Sequence, residues 1–241
     1  VCHSFTGLHN TYFASDNLIP NIEYHMYPGE NVFFGPIENP NPSMYHASAY
    51  SPMFKRSEMC LPCHDLVMRE VEAEITFTEW NRIPGLAMSG DMPCQECHMP
   101  VKDDGTHDHS FVGVDLDLSY PPGEAPQHHA VQSMLENAAE IEFGVPGYVL
   151  PEAIQSGQQL IIPITITSLT AHNIPSGTSF NREAWLETII THNADTLFSS
   201  GFIANTAQEL DKNDSSLLLF TSYLLDETGD TTTSITMTHD M

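Results

Sequence analysis

Hydrophobic positions recur with a helical period most clearly in residues 130–143. Apolar side chains there are spaced three, four, seven and eight positions apart, which places them on one face of an α-helix. The V-P-G sequence at 145–147 provides the signal that ends this helix. Shorter helical turns are predicted at 61–72 and 77–82. The apolar face of the long helix consists of Val131, Met134, Leu135, Ala138 and Ala139.

After residue 150 the pattern changes to short runs rich in β-branched and aromatic residues, which favour β-strands. The turn sequences H-N-A-D at 192–195 and E-T-G-D at 227–230 separate these runs. Short strands joined by turns, with no helix between them, predict an antiparallel β-sandwich. Such a sandwich needs more strands than this stretch supplies, so we expect the chain to be cut short at its C-terminus. The predicted strands lie within 160–167, 184–192, 216–225 and 232–238.

Residues 4–59 show little periodicity and are rich in Pro, Gly, Asn and aromatic residues, which predicts an ordered, loop-rich segment. A cluster of Pro and Gly at 121–126 marks a break, and we place the domain boundary near Leu150. The predicted fold class is mixed. An irregular, loop-rich and partly helical domain at 1–150 precedes an antiparallel β-sandwich domain at 151–241, and we expect both ends to be incomplete.

Acidic residues dominate the charge, because 32 Asp and Glu stand against 7 Lys and Arg and give a formal net charge of −25. Such a surface repels nucleic acid and anionic membranes, so neither is an expected partner. We expect most of the acid to form a solvated exterior. Docking of basic proteins and binding of cations such as calcium are the alternatives. No run approaches the ~20 apolar residues of a membrane span.

The most specific chemistry lies in the pattern Cys-x-x-Cys-His, which occurs as C-L-P-C-H at 60–64 and C-Q-E-C-H at 94–98. Two thiols at this spacing can each form a thioether with one vinyl group of a haem, and the adjacent His then binds the iron. The sequence therefore predicts covalent c-type haem. The predicted attachment points are Cys60, Cys63, Cys94 and Cys97, and the predicted iron ligands are His64 and His98.

Other uses of paired cysteines stay open at this point. A zinc ribbon would take four thiolates from the same two pairs. Zinc does not require the His that follows each pair, whereas covalent haem does, so haem is favoured. A pair of disulfides is a further alternative. A thioredoxin-like redox motif is disfavoured because no βαβ pattern surrounds either pair.

The chain begins Val1-Cys2-His3, which matches the end of a further Cys-x-x-Cys-His motif. This interpretation also accounts for the odd total of five cysteines. We therefore expect Cys2 and His3 to belong to a third haem, and the chain to be part of a longer, processed protein. Haem is attached to such motifs outside the cytoplasmic membrane, so we expect the full-length protein to be exported to the periplasm or the extracellular space.

Thirteen histidines are present, and three of them are the predicted proximal ligands. A lone His is more often a hydrogen-bonded surface residue than a ligand, so each of the others needs its own argument. His46 shortly precedes the first complete motif and His109 shortly follows the second. His172 lies in the loop A-H-N-I-P-S-G-T, which Pro and Gly constrain. The other candidates are His9, His25, His107, His128, His129, His192 and His239.

Several stretches together resemble the multihaem c-type cytochromes of bacteria and archaea, in particular those with a haem-rich N-terminal part and a C-terminal β-sandwich. The resemblance covers most of the chain. It implies that His46, His109 and His172 are distal iron ligands, with His172 carried by the β domain. The stretches that carry it are H-A-S-A-Y-S-P at 46–52, E-M-C-L-P-C-H-D at 58–65, T-F-T-E-W at 76–80, P-C-Q-E-C-H-M-P at 93–100, H-S-F-V-G-V-D at 109–115, H-N-I-P-S-G at 172–177 and R-E-A-W-L at 182–186.

An iron with His on both faces has no open site, so it exchanges electrons and binds no substrate. The resemblance therefore implies electron transfer through about three bis-His haems in this chain, to redox proteins or other multihaem subunits. Two alternatives stay open. A haem with one free face would make the protein an oxidoreductase acting on small nitrogen or sulfur compounds. The second alternative is a structural role, because some relatives polymerise: the protein would be a subunit of an extracellular cytochrome filament formed from copies of itself.

Overall fold

The computed structural model of this chain describes most of its 241 residues. The chain folds into two compact units, each built from three separate stretches. Unit 1 comprises Val1–Thr6, Tyr24–Cys60 and Glu79–Asn173, and unit 2 comprises Gly7–Glu23, Leu61–Thr78 and Ile174–Met241. The division into domains at residue 150 stays a prediction. The described residues are 2–7, 23–24, 31–41, 43–68, 71–83, 92–121, 123–149, 151, 155, 157–205 and 208–233.

Helices are few and short in these residues. The helix predicted at 77–82 is confirmed, since α1 covers it with one additional residue. None of the helices in the described ranges has the length and hydrophobicity of a membrane span. The α-helices are α1 (Thr76–Arg82), α2 (Cys94–His98) and α3 (His128–Glu136), and 3₁₀ turns lie at Cys2–Ser4, Pro52–Lys55, Ser57–Met59 and Ser179–Asn181.

Short strands form seven two-stranded sheets within the described residues: β1–β2, β3–β4, β5–β6, β7–β8, β9–β12, β10–β11 and β13–β14. The β3–β4 pair is parallel, and the last five pairs are antiparallel. The fold is therefore mixed, with several small sheets and no closed barrel in the part of the chain described. The predicted sandwich is not confirmed. The strands are β1 (Phe5–Gly7), β2 (Glu23–Tyr24), β3 (Val32–Gly35), β4 (Ala47–Tyr50), β5 (Leu66–Met68), β6 (Val71–Glu74), β7 (Ala139–Phe143), β8 (Ile164–Ser168), β9 (Ala184–Leu186), β10 (Thr188–His192), β11 (Asp195–Ser200), β12 (Leu218–Phe220), β13 (Leu224–Leu225) and β14 (Thr231–Thr232).

Two helix predictions are wrong in part. The helix expected at 130–143 ends at Glu136, and its last five residues form β7. The sequence A-E-I-E-F alternates polar and apolar residues, and β7 pairs with β8 so that Ile141 lies opposite Ile166. The helical turns expected at 61–72 are replaced, after a turn, by β5 and the start of β6. In β7 the period-2 patterning outweighs the helical pattern, whereas the consecutive apolar residues L-V-M of β5 show no such alternation.

Unit 1 has a thin core. Its buried apolar side chains include Phe54, Trp80 and Met99, and the Trp80 indole N–H donates a hydrogen bond to the Met92 carbonyl at 3.0 Å. Many large apolar side chains of the same unit are exposed, among them Phe111, which is 52% exposed. The unit therefore leaves large apolar side chains in contact with solvent.

Unit 2 contains the turns predicted from sequence. The turn at Asn193 and Ala194 joins β10 to β11, and Asn193 adopts the left-handed conformation that this turn requires, with φ of 54°. The loop between β13 and β14 closes when Asp226 accepts hydrogen bonds from the backbone N–H groups of Thr228 and Asp230 at 2.9 and 3.1 Å. Both turn predictions are confirmed.

Substitution of Gly201 by Ala should destabilise unit 2. Gly201 has φ of 67°, and a Cβ there would lie 2.8 Å from the Leu186 carbonyl oxygen and 2.9 Å from a Trp185 ring carbon. We expect a loss of about 1–3 kcal/mol in the free energy of unfolding, measured by denaturant titration.

Gly229→Ala is the matched control. Its φ is 83°, yet nothing lies within 4 Å of the added Cβ, so it reports backbone strain without the steric clash. Equal losses in the two variants would contradict the predicted clash at residue 201.

Candidate functional site

The second complete motif, residues 94–98, coincides with helix α2. Cys94 donates its backbone N–H to the Ser57 hydroxyl oxygen at 3.0 Å, and the buried Gln95 donates its side-chain amide to the Arg56 carbonyl at 2.8 Å. These contacts fix the motif helix against the segment that precedes the first motif. Because residues three apart share a helix face, Cys94 and Cys97 are directed to the same side.

The first complete motif, residues 60–64, begins in a turn. The backbone N–H of Cys60 donates to the Ser57 carbonyl at 2.8 Å, which makes Cys60 the C-cap of the 3₁₀ turn Ser57–Met59. Ser57 is only 1% exposed and thus contacts the first cysteine of both motifs, through its carbonyl in one case and its hydroxyl in the other. The first cysteines of the two motifs therefore lie next to each other. Sequence analysis did not single out Ser57.

The five thiols differ in exposure, since Cys2, Cys63 and Cys97 are exposed whereas Cys60 and Cys94 are partly buried. None of the five cysteines is bonded to another. Desolvation raises the pKa of the Cys97 thiol, and the neighbouring Glu96 and Cys94 raise it further. In the described ranges no three His, Cys, Asp or Glu side chains are grouped as in a multi-ligand metal site.

Six histidines in the described part of the chain share one hydrogen-bonding arrangement, in which the ring Nδ1 faces a backbone carbonyl. A carbonyl can only accept, so Nδ1 must carry the proton, and in a neutral imidazole Nε2 then holds the lone pair. This is the tautomer that binds a metal through Nε2. The contacts are His3 with Phe34 (2.5 Å), His46 with Ala47 (3.1 Å), His98 with Val112 (2.7 Å), His107 with Met99 (2.6 Å), His109 with His107 (2.8 Å) and His172 with Asn173 (2.9 Å).

Four of these histidines form two pairs within unit 1. The ring centroids of His3 and His109 are 6.1 Å apart, and those of His98 and His172 are 6.3 Å apart with 18° between the ring planes. Two imidazoles that bind one metal from opposite sides, at about 2 Å each, have centroids about 6 Å apart. Each pair joins a predicted proximal ligand to a predicted distal ligand. The residues present therefore fit two bis-His irons.

Aromatic neighbours hold several of these rings. His3 stacks on the buried Phe54 with centroids 5.2 Å apart, and His109 meets the edge of Phe111 at 6.1 Å. His46, also in unit 1, packs edge-on against Phe33 at 4.8 Å. Packing from one side and a carbonyl at Nδ1 together fix the orientation of each ring.

His64 lies in unit 2 and is anchored differently. Its Nδ1 is 3.7 Å from a carboxylate oxygen of Glu74, and its carbonyl accepts a hydrogen bond from the Phe77 backbone at 2.8 Å. Burial raises the pKa of the adjacent Asp65, and the charges of Glu74 and Glu72 act in the same direction.

The remaining candidates have other environments. His128 and His129 lie at the start of α3 with ring centroids 5.7 Å apart, and His128 Nδ1 is buried without a hydrogen-bond partner among the described residues. His192 is exposed on β10. The predictions for His9, His25 and His239 fall outside the described residues.

Part of the acidic surface serves local structure. Asp104 accepts hydrogen bonds from the Thr106 hydroxyl and backbone at 2.6 and 2.9 Å, and these bonds lower the pKa of its carboxyl group. Asp108 and Asp226 cap turns in the same way, with Ser110 and Thr228 as donors. These carboxylates stabilise turns, as Asx motifs do generally.

The chain matches no protein-family model, no curated protein and no solved structure.

Proposed function

We propose that this chain carries several covalently bound c-type haems and transfers electrons between them, as part of an exported multihaem cytochrome. The observation that carries the proposal is the spacing of the imidazole pairs. His3 with His109, at 6.1 Å, and His98 with His172, at 6.3 Å, each join a motif histidine to one outside the motifs. A shared iron in each pair explains the two distances. It also explains why all four rings have the tautomer that is protonated at Nδ1.

The haem supplies the redox chemistry, and the protein attaches and orients it. Cys94 and Cys97 provide two thiols on one side of α2, and His98 follows them in the same helix. The Val112 carbonyl holds His98 at Nδ1, and the Asn173 carbonyl holds His172. Since the protein fixes both rings, the change of iron charge requires little movement of the ligands.

The two paired sites are joined by a short path within unit 1. The His107 ring donates to the Met99 carbonyl, directly after His98, and the His107 carbonyl accepts from the His109 ring. One iron's proximal ligand and the other iron's distal ligand are thus linked by two hydrogen bonds and a few backbone bonds. Short separation between haems is what an electron conduit requires, and the shared contact of both motifs with Ser57 supports it.

Bis-His ligation also favours electron transfer over substrate turnover, because it leaves no iron position for a substrate. Both imidazole pairs lie within one chain, so neither needs a ligand from a neighbouring filament subunit. The net charge of −25 suits a basic redox protein as the partner.

Production in a host that attaches c-type haem tests the proposal directly. We expect the colour to stay with the protein after precipitation in acidified acetone, because thioethers at the motif cysteines hold the haem. The oxidised protein should show low-spin haem spectra, and its mass should exceed that of the bare chain by whole haems. Colour that moves entirely into the solvent, or a protein that contains zinc and no iron, would refute it.

A further inference from the structure

Glu74 is a buried acid on β6 whose side chain faces His64. The residue is 7% exposed, and its Oε1 lies 3.7 Å from His64 Nδ1. Oε1 also accepts a hydrogen bond from the Thr76 hydroxyl at 2.5 Å, whereas Oε2 is buried without a hydrogen-bond partner among the described residues. Burial of a carboxylate costs free energy of folding. The position of Glu74 beside the imidazole is therefore maintained in spite of this desolvation cost.

A break in the β5–β6 pairing gives Glu74 this position. Leu66 pairs with Glu74 and Val67 with Glu72, so the register skips Ala73. The regular alternation would place residues 72 and 74 on the same face. Here Glu72 is exposed and Glu74 is buried, because the bulge redirects the side chain.

Surrounding polar groups hold the carboxylate in place. The Thr76 hydroxyl contacts both Glu74 and the Ser176 hydroxyl, the latter at 2.7 Å. Arg182 in turn donates to the Ser176 carbonyl at 2.6 Å. The acid therefore belongs to an ordered network in unit 2.

The anchor of His64 differs in charge from the anchors of the other two motif histidines. His3 and His98 face the neutral carbonyls of Phe34 and Val112. At 3.7 Å the Glu74 carboxylate makes no direct hydrogen bond with Nδ1, but its negative charge attracts the Nδ1–H dipole and makes Nε2 a stronger donor to a metal. A stronger donor stabilises the ferric state over the ferrous state, and the low dielectric around a buried charge strengthens the effect.

We infer that Glu74 is a positioning residue for His64, and that it gives the haem of the 60–64 motif a lower reduction potential than it would have with a neutral anchor. The inference rests on the proposed function, because it requires His64 to bind a haem iron.

Glu74→Gln tests this in the haem-loaded protein by spectroelectrochemical titration. Gln keeps the shape of Glu and can still accept from Thr76, so only the charge is removed. We expect the ferric–ferrous equilibrium of one haem to move about tenfold towards ferrous, which is a rise of about 59 mV in its reduction potential. The reduction potentials of the other haems should stay unchanged. The number of covalent haems and the low-spin spectrum should stay as in the unmodified protein.

Two further variants distinguish the effect of a negative charge at residue 74 from the effect of losing a negative charge elsewhere on the strand. Glu72→Gln removes the same charge from the exposed face of the same strand, and it should shift the potentials much less. Glu74→Asp keeps the charge at a greater distance and should give a shift smaller than that of Gln.

The outcomes are distinguishable from failure of the proposed function. Unchanged potentials in Glu74→Gln, equal shifts in Glu72→Gln, or loss of one low-spin haem would each overturn the role of Glu74 in setting the potential. Absence of covalent haem from the unmodified protein would instead overturn the proposed function.

Discussion

Replacement of His172 by Ala should convert one ferric haem from low-spin to high-spin and allow its ferrous form to bind carbon monoxide. His172 and His98 have ring centroids 6.3 Å apart, and the Nδ1 of each donates to a carbonyl, so both present Nε2. Removal of one ring leaves one face of the iron open. Absorption and electron paramagnetic resonance spectra should show the change in one haem and leave the others low-spin.

His192→Ala is the matched control, since His192 is an exposed residue of β10 and belongs to neither pair. It should leave the spectra unchanged. His109→Ala should open a second, different haem, so the double variant with His172→Ala should bind two equivalents of carbon monoxide. An unchanged spin state in His172→Ala would mean that this histidine is only a hydrogen-bonded residue of its loop.

Sequence patterns single out candidate site residues but do not indicate which groups support them. The motifs identify Cys94, Cys97 and His98 because haem attachment requires that spacing. The ring anchors have no such signature. His3, for example, is held by the carbonyl of Phe34, 31 residues away, and any residue could supply a backbone carbonyl there.

In the fold, too, features set by neighbouring residues were predicted from the sequence, whereas features that depend on residues far apart in the chain were not. Turns at 192–195 and 227–230 follow from residues that tolerate left-handed backbone, and α1 follows from a local pattern. The parallel β3–β4 pair lies in a segment with little periodicity, and its pairing depends on contacts between distant residues. Glu74 is buried because of a register break, which the alternation in V-E-A-E does not reveal.

Replacement of Cys94 and Cys97 by Ser should remove one covalent haem and weaken unit 1. Ser is nearly the same size as Cys, so α2 can keep its backbone contacts with Ser57, but a hydroxyl forms no thioether. Acidified acetone should then extract one haem, while the protein retains the rest. Mass spectrometry of the denatured chain should show one haem fewer than the unmodified protein.

The loss of stability has a specific origin in the thin core of unit 1. Met99, directly after the motif, is 8% exposed, whereas Phe111 is 52% exposed and Val114 is 43% exposed. A haem bound in unit 1 would cover apolar surface that the chain itself leaves open, and covalent attachment through Cys94 and Cys97 would make that cover permanent. We therefore expect the double Ser variant to unfold at a lower temperature than His172→Ala, which keeps both thioethers. Equal thermal stability of the two variants would show that the haem contributes through its iron ligands alone, and retention of the full covalent haem count would show that these cysteines do not attach haem.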